Sequence, residues 1–292
     1  MSGLPEILYV LGTGRSGSTV LEILLAHAPG TFGAGELTFL VQDALLDDAP
    51  CACGRPAKSC PVWGAVLDRL EWDTAKLQDA ATVFRRVDAH RDVPRLLTRS
   101  ADPGLLGAYW GYNRAILAAI AEVTGASRVI DSSKYSARAL ALATVPELKL
   151  RTVRLTRRPA GLMRSWQKPN PGEQPPKSPA AMLAYYTFVG ASVRLTERRL
   201  GDVHPVAYEA LAGDPAGTIE AIGRWLGADL SEVAARLRRG DDFAVGHIVT
   251  GNRLRQQRTM RFEPRHAADR PEGAAARAAA ALMEIERRLF GL

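Results

Sequence analysis

Cysteine is scarce in this chain. Its 292 residues hold three, Cys51, Cys53 and Cys60. An odd count in a long sequence argues against the disulfide framework of a secreted domain. The Cys-x-Cys spacing invites a zinc reading, but no fourth ligand stands nearby: the next histidine along the chain, His90, is thirty residues beyond Cys60. A metal site is therefore not expected. Apolar runs of the ~18–20 residues needed to cross a membrane are absent as well. A signal peptide is not evident, because Glu6 sits among the first residues and the apolar stretch Ile7 to Leu11 is only strand-length. A cytoplasmic protein without a membrane span is the expectation. Internal repeats and long low-complexity tracts are also missing. Charged residues make up 24% of the chain, close to the ordinary share for a folded protein, which argues against wholesale disorder.

What is present is basic. Lysine and arginine number 38 against 31 acids, a net charge of +7, and the isoelectric point is about 9.6. That balance suits an anionic ligand, a nucleic acid or a membrane surface equally well. The basic residues are spread along the chain, so an arginine-rich solvated surface is the plainer account. A nucleic-acid-binding module would need a concentrated basic face with exposed aromatics, which the sequence does not show, and no nucleic-acid partner is expected.

Hydrophobic residues are 47% of the chain, enough for one large α/β domain or two small ones. Ile7 to Leu11 is a β-prone run ending at glycine. From Ser18 to His27 apolar residues recur at helical spacing until Pro29-Gly30. Thr31 to Ala34 reads as a second strand, with a helix from Glu36 or Leu37. Between Pro50 and Gly125 the strand signal fades, and helices are expected over Trp63 to Leu70, Thr82 to Thr98 and Leu105 to Thr124. Strand patterns return at Arg128 to Asp131, Leu150 to Thr156 and His204 to Tyr208, each followed by a helix. Gly273 to Leu289 is alanine-rich and helical. Lys168 to Pro179, with five prolines, is a loop, either a mobile flap or a plain surface crossing. Strands alternating with helices predict an α/β fold: a P-loop-like parallel sheet flanked by helices, with a helical insertion at about 50–125, in a single domain over 1–292.

The first strand-to-helix loop reads Gly12-Thr13-Gly14-Arg15-Ser16-Gly17-Ser18-Thr19. Glycines there let several N–H groups point at one anion, and the helix start adds partial positive charge. This is a phosphate cradle. Ser18 stands where a nucleoside-triphosphatase loop has its lysine, and the cation is Arg15, inside the loop. Asp131 is the acid that could be argued for a magnesium partner.

G-R-S-G-S-T after a hydrophobic strand resembles the 5′-phosphosulfate loop of sulfotransferases that use 3′-phosphoadenosine 5′-phosphosulfate (PAPS), with Gly14, Arg15, Ser16, Gly17, Ser18 and Thr19 as donor-binding residues. The arginine version is similar to the tyrosylprotein and bacterial trehalose branches. A second resemblance is an arginine followed eight positions later by a serine, which in the family hold the donor's 3′-phosphate; these are Arg157 and Ser165. The acid usual after that arginine is Arg158 here. F-G-A-G-E-L resembles the stretch that carries the general base, Glu36. V-I-D-S-S-K resembles the strand followed by a lysine near the transferred group, Lys134. H-I-V-T-G-N-R-L-R resembles the C-terminal loop over the 3′-phosphate, with Asn252 and Arg253 as binding residues and Arg255 and His247 beside them. P-V-A-Y-E-A-L reads as scaffold. The resemblance implies PAPS as co-substrate, its bisphosphate (PAP) as product, no metal requirement and a small-molecule acceptor; a homodimer is compatible with it.

Plainer accounts stay open for single residues. Glu36 could be a helix N-terminal acid, Lys134 a solvated helix-start residue, and Arg157 with Arg158 surface charges. Against this, Arg15, Glu36, Lys134 and Arg157 each follow a different expected strand end, and ligands of open parallel sheets bind beyond the carboxyl ends of the strands. Tyr109, Trp110 and Tyr112 suit a sugar or aromatic acceptor, although buried core is the simpler role. The alternative reading is a P-loop nucleotide kinase or NTPase.

Overall fold

The computed structural model describes residues 3–168, 177–250, 253–262 and 270–291. Among them a parallel sheet runs β2-β3-β1-β4-β5, built from β1 (Glu6–Gly12), β2 (Thr31–Gly33), β3 (Arg128–Lys134), β4 (Leu150–Thr156) and β5 (Val203–Ala207). Strand order reverses at β1, which pairs with β3 on one side and β4 on the other. That reversal opens a crevice at the carboxyl end of β1, where such sheets bind ligands.

Alternation along β1 explains why both faces are covered. Ile7, Tyr9 and Leu11 point into one buried cluster, whereas Leu8 and Val10 point into another. The first face meets the helical insertion between β2 and β3: α2 (Leu37–Phe39), running into a π-helical stretch Leu40–Leu46, then α3 (Trp63–Leu70), α4 (Thr74–Val87), α5 (Val93–Leu97) and α6 (Pro103–Thr124). It also meets α7 (Ser136–Leu142). The second face carries α1 (Ser18–Leu25), α11 (Pro215–Leu226) and α12 (Ser231–Arg239). Helices α8 (Pro159–Gln167), α9 (Pro179–Leu200) and α13 (Ala274–Phe290) form a third apolar cluster, while α10 (Tyr208–Gly213) follows β5 directly. No helix among the described residues is long and apolar enough to cross a membrane.

The expected single helix over Thr82 to Thr98 is two helices, α4 and α5. Pro94 lies in the first turn of α5, and a proline disfavours the helical conformation of its predecessor and removes a donor. The break frees Asp88 to turn inward. A short antiparallel pair, β6 (Asp242–Ala244) with β7 (Thr259–Arg261), was not evident in the sequence. Of the proline-rich loop, residues 169–176 lie outside the described residues.

Beneath the insertion a guanidinium is wholly buried. Arg138 Nε donates to Asp131 Oδ2 at 2.7 Å, Nη1 to Asp88 Oδ2 at 2.9 Å and to the Tyr109 hydroxyl at 3.1 Å, and Nη2 to Asn113 Oδ1 at 3.2 Å. Burial opposes the charge, yet Asp131, Tyr109 and Asp88 hold Arg138 well above its ordinary range. Thr38 donates to Asp88 (2.7 Å), and Asp131 Oδ1 accepts from both the Ser133 N–H and its hydroxyl. Asp131 is thus a structural acid, committed on both oxygens. Tyr109 is core, bonded to Asp88, while Trp110 and Tyr112 donate to Thr144 and Asp79.

A second buried charge fastens α1. Glu22 accepts from the Gly35 N–H at 2.5 Å and from the Ser132 hydroxyl at 2.6 Å. Burial, against these two hydrogen bonds, raises its carboxyl from 4.5 to about 7. An unfolded chain ionises this group lower, so across that window the folded state binds the extra proton. The stability it contributes is full below the unfolded value and is lost as pH rises through about 7.

Two outcomes are expected. Arg138→Leu leaves two buried carboxylates unpaired and should cost about 3–5 kcal/mol in urea denaturation. Glu22→Gln should remove a pH dependence, so that its melting temperature gains on the wild type between pH 5 and 8; the difference amounts to about 3 kcal/mol at most. Parallel melting curves at all pH values would contradict the assignment.

Candidate active site

The loop after β1 bends through left-handed backbone at Arg15 (φ 70°) and Gly17 (φ 97°). Gly17 is required: a Cβ there would come within 2.5 Å of the Tyr208 ring. Gly12 is equally confined, because its Cβ would strike the Leu155 carbonyl of neighbouring β4. Gly17 caps α1 without a side-chain hydrogen bond, and the first turn of α1 has no acid. The leading N–H groups of a helix lack intrahelical partners and favour an anion. Inside the loop, Ser16 donates to the Thr13 carbonyl at 2.9 Å and lies 2.6 Å from the Thr13 hydroxyl. Ser16, Ser18 and Thr19 are all buried. Gly14 N–H donates to the Tyr185 hydroxyl at 3.0 Å, and burial raises that phenol above its usual range.

Arg157 closes the loop from the β4 side. Its Nη1 donates to the Arg15 carbonyl at 3.2 Å, and its guanidinium stacks 4.4 Å from the centre of the Tyr208 ring. Arg158 is exposed, and its backbone N–H donates to Glu209. Of the two arginines, Arg157 is therefore the one that touches the glycine-loop backbone. Arg15 itself lies 5.4 Å from the Trp166 ring centre. Ser165 is half-buried on α8, the helix that begins two residues after Arg157.

On the β3 side, Lys134 Nζ donates to Glu36 Oε1 at 2.5 Å and to the Ser132 carbonyl at 3.0 Å. Both charged side chains are about six-sevenths buried, at 15% and 14% exposure, which makes this more than a solvated pair. Lys134 is the last residue of β3 rather than one beyond it, and its backbone is left-handed, φ 73°. Such a conformation costs about 1–3 kcal/mol in a non-glycine residue and is held by its surroundings. Glu36 is fixed from the far end of the chain: its N–H donates to Thr250 Oγ1 at 3.0 Å, and that hydroxyl donates to the Glu36 carbonyl, also at 3.0 Å. Neighbouring Tyr135 is pushed up to about 12, first by burial and then by the Glu36 carboxylate.

The fold thus gathers Arg15 with Arg157, and Lys134 with Glu36, along the carboxyl ends of the strands. Asn252 and the Arg253 side chain lie outside the described residues; the Arg253 backbone opens a short 3-10 turn. His247 sits against the cysteines, 3.2 Å from Cys60 Sγ. That overturns the sequence argument that no fourth ligand lies near them. Sequence reasoning also missed Tyr185, Trp166 and Tyr208. Tyr208 had a signal: it directly follows β5, so it obeys the same strand-end rule as the charged residues.

Solved structures to which the chain is similar include the sulfotransferase domain of the Synechococcus PCC 7002 olefin synthase, at 17% identity and a TM-score of 0.49 over 98% of this chain and 96% of that one. The sulfotransferase domain from the curacin biosynthetic pathway is 15% identical, with a TM-score of 0.49, over 97% and 98%. A sulfotransferase from Mycobacterium avium is 16% identical, with a TM-score of 0.47, over 82% and 68%. Comparison with curated protein sequences finds no significant match. The sequence profile of the Sulfotransferase family, however, matches residues 5–232, a span that holds the glycine loop, Glu36, Lys134, Arg157 and Ser165, and the chain belongs to that family.

Proposed function

We propose that this sulfotransferase acts as a single cytoplasmic domain that moves a sulfuryl group from PAPS, the usual donor of the family, to a hydroxyl or amine of a small molecule, sugar or natural product. The observation that carries the reading is the joining of two cationic elements at one rim: Arg157 hydrogen-bonds the backbone of the loop that contains Arg15. A donor with phosphates at both its 5′ and 3′ positions needs two such elements side by side. The loop N–H groups and Arg15 suit the 5′-phosphosulfate, and Arg157 with Ser165 suits the 3′-phosphate, to which the family resemblance adds Asn252 and Arg253.

Transfer proceeds in line. A bond forms from the acceptor oxygen to sulfur as the bond from sulfur to the 5′-phosphate oxygen breaks, and the bond's electron pair leaves on that phosphate. Glu36 takes the acceptor proton and releases it to solvent after product leaves. Charge grows on the leaving phosphate, so preorganised donors do most of the work. Arg15, the loop amides and Lys134 supply them. The Lys134–Glu36 ion pair supports this division of labour, since it brings a proton acceptor and a cation to the same point before substrate arrives. The sulfuryl group carries less charge than a phosphoryl group, and the transfer step needs no metal. A kinase or NTPase reading is weakened by Ser18 at the lysine position and by Asp131, which is spent on Arg138 and Ser133. Adenosine 3′,5′-bisphosphate should raise the melting temperature where ATP with magnesium does not.

Glu36→Gln should lower turnover ~10²–10⁴-fold while calorimetric affinity for adenosine 3′,5′-bisphosphate stays nearly constant; full turnover in this variant would refute the base assignment. Arg157→Ala should weaken bisphosphate affinity about 10–100-fold through loss of charge-assisted hydrogen bonds. Binding equal to wild type would remove Arg157 from the donor site.

A further inference from the structure

The three cysteines enter the insertion in a tight turn. Cys51 N–H donates to the Arg55 carbonyl (2.8 Å), Gly54 N–H to the Cys51 carbonyl (2.9 Å) and Cys60 N–H to the Ala57 carbonyl (3.1 Å). Gly54 adopts φ 85°, the left-handed turn position. From the far end of the chain His247 arrives beside them. Trp63, wholly buried, donates its indole N–H to the His247 carbonyl, and Ala52 N–H donates to the Ile248 carbonyl at 2.9 Å. One ligand atom from each of Cys51, Cys53, Cys60 and His247 lies within 4.8 Å of every other.

The spacing is that of a coordination polyhedron, not of a disulfide. Cys51 Sγ and Cys60 Sγ are 3.6 Å apart, and His247 Nδ1 is 3.8 Å from the first and 3.2 Å from the second. A disulfide would need about 2.05 Å, and all three thiols are free. Zinc bonds of about 2.3 Å to sulfur and about 2.05 Å to nitrogen give tetrahedral edges of about 3.8 Å between sulfurs and about 3.6 Å from sulfur to nitrogen. These three separations fall around those values, and Cys53 Sγ lies within 4.8 Å of the other three ligand atoms. Three thiolates and an imidazole select zinc over magnesium or calcium.

We propose that Cys51, Cys53, Cys60 and His247 form a structural zinc site. Four protein ligands close the tetrahedron, leaving no position for water or substrate, so the metal is a clip and not a catalyst. Binding balances as one Zn²⁺ displacing three thiol protons, with neutral His247 as the fourth donor, to give a site of net charge −1 and three released protons. The clip joins the start of the insertion to the segment that carries Thr250. That hydroxyl holds the Glu36 backbone on both its N–H and its carbonyl. Zinc therefore acts as a positioning element for Glu36; this consequence rests on the proposed role of Glu36, whereas metal binding does not.

The test is metal analysis of the full-length chain, purified without chelator and reconstituted with zinc. About one zinc per chain is expected, with less than about a tenth in Cys60→Ser and His247→Ala. Cobalt substitution of the wild type should give thiolate-to-metal charge-transfer bands and the intense visible bands of a tetrahedral ion. Wild-type chain that takes up neither metal, variants that keep a full equivalent, or a Cys51–Cys60 disulfide seen by mass spectrometry would each overturn the site. Should the variants fail to fold, the wild-type stoichiometry and cobalt spectrum decide alone. Glu36→Gln should retain full zinc, which separates failure of the metal site from failure of the proposed base.

Discussion

Arg138 carries its guanidinium into the interior between the sheet and the insertion, where water cannot solvate it. Taking such an ion and its counter-charges out of water costs several kcal/mol each, and only complete hydrogen bonding offsets that. Asp131 from β3, Asp88 beyond α4, and Tyr109 and Asn113 from α6 supply it. Four elements meet at one side chain, and the rim of the sheet is assembled on them. Ser133, bonded to Asp131, accepts from the Thr38 N–H at 3.1 Å. Lys134 is the next residue after Ser133, and Glu36 stands two before Thr38. The ion pair at the site is therefore suspended from the buried one by backbone a residue or two long.

Two of the six non-glycine residues with left-handed backbone among the described residues stand at the same rim. Arg15 and Lys134, on the loops after β1 and at the end of β3, both adopt positive φ. These conformations survive because the surroundings hold them: Arg157 and Tyr208 grip the first loop, and Glu36 with the Ser132 carbonyl grips the second. In the proposed reaction, strain of this kind would orient the donors and the proposed proton acceptor before a substrate binds, so that less ordering is needed.

Glu22 links the two. From α1, which follows the glycine loop, it reaches the Gly35 N–H beside Glu36 and the Ser132 hydroxyl beside Lys134. The glycine loop and the ion pair are thereby parts of one frame, while Thr250 and the cysteine–histidine cluster secure that frame from the C-terminal side.

Much of the fold was legible because its signals are local. Strand runs, helical periodicity and the glycine loop are written within ten or twenty residues, and the alternation of strand and helix implies the parallel sheet and its rim. Arg15, Glu36, Lys134 and Arg157 could be found by that rule, since each lies at a strand end. The helix break before α5 was missed although Pro94 marks it. What the sequence could not supply is every contact made across the chain: Arg138 against Asp88, Tyr185 on Gly14, Tyr208 beneath Arg157, Thr250 on Glu36, and His247 among cysteines 187 to 196 residues before it. The sequence by itself determined the elements, the glycine loop and the charges at the strand ends, because short-range sterics and periodicity set them. Only the tertiary structure decided which of those charges meet, because partners so distant in sequence come together solely through the order in which the strands pair.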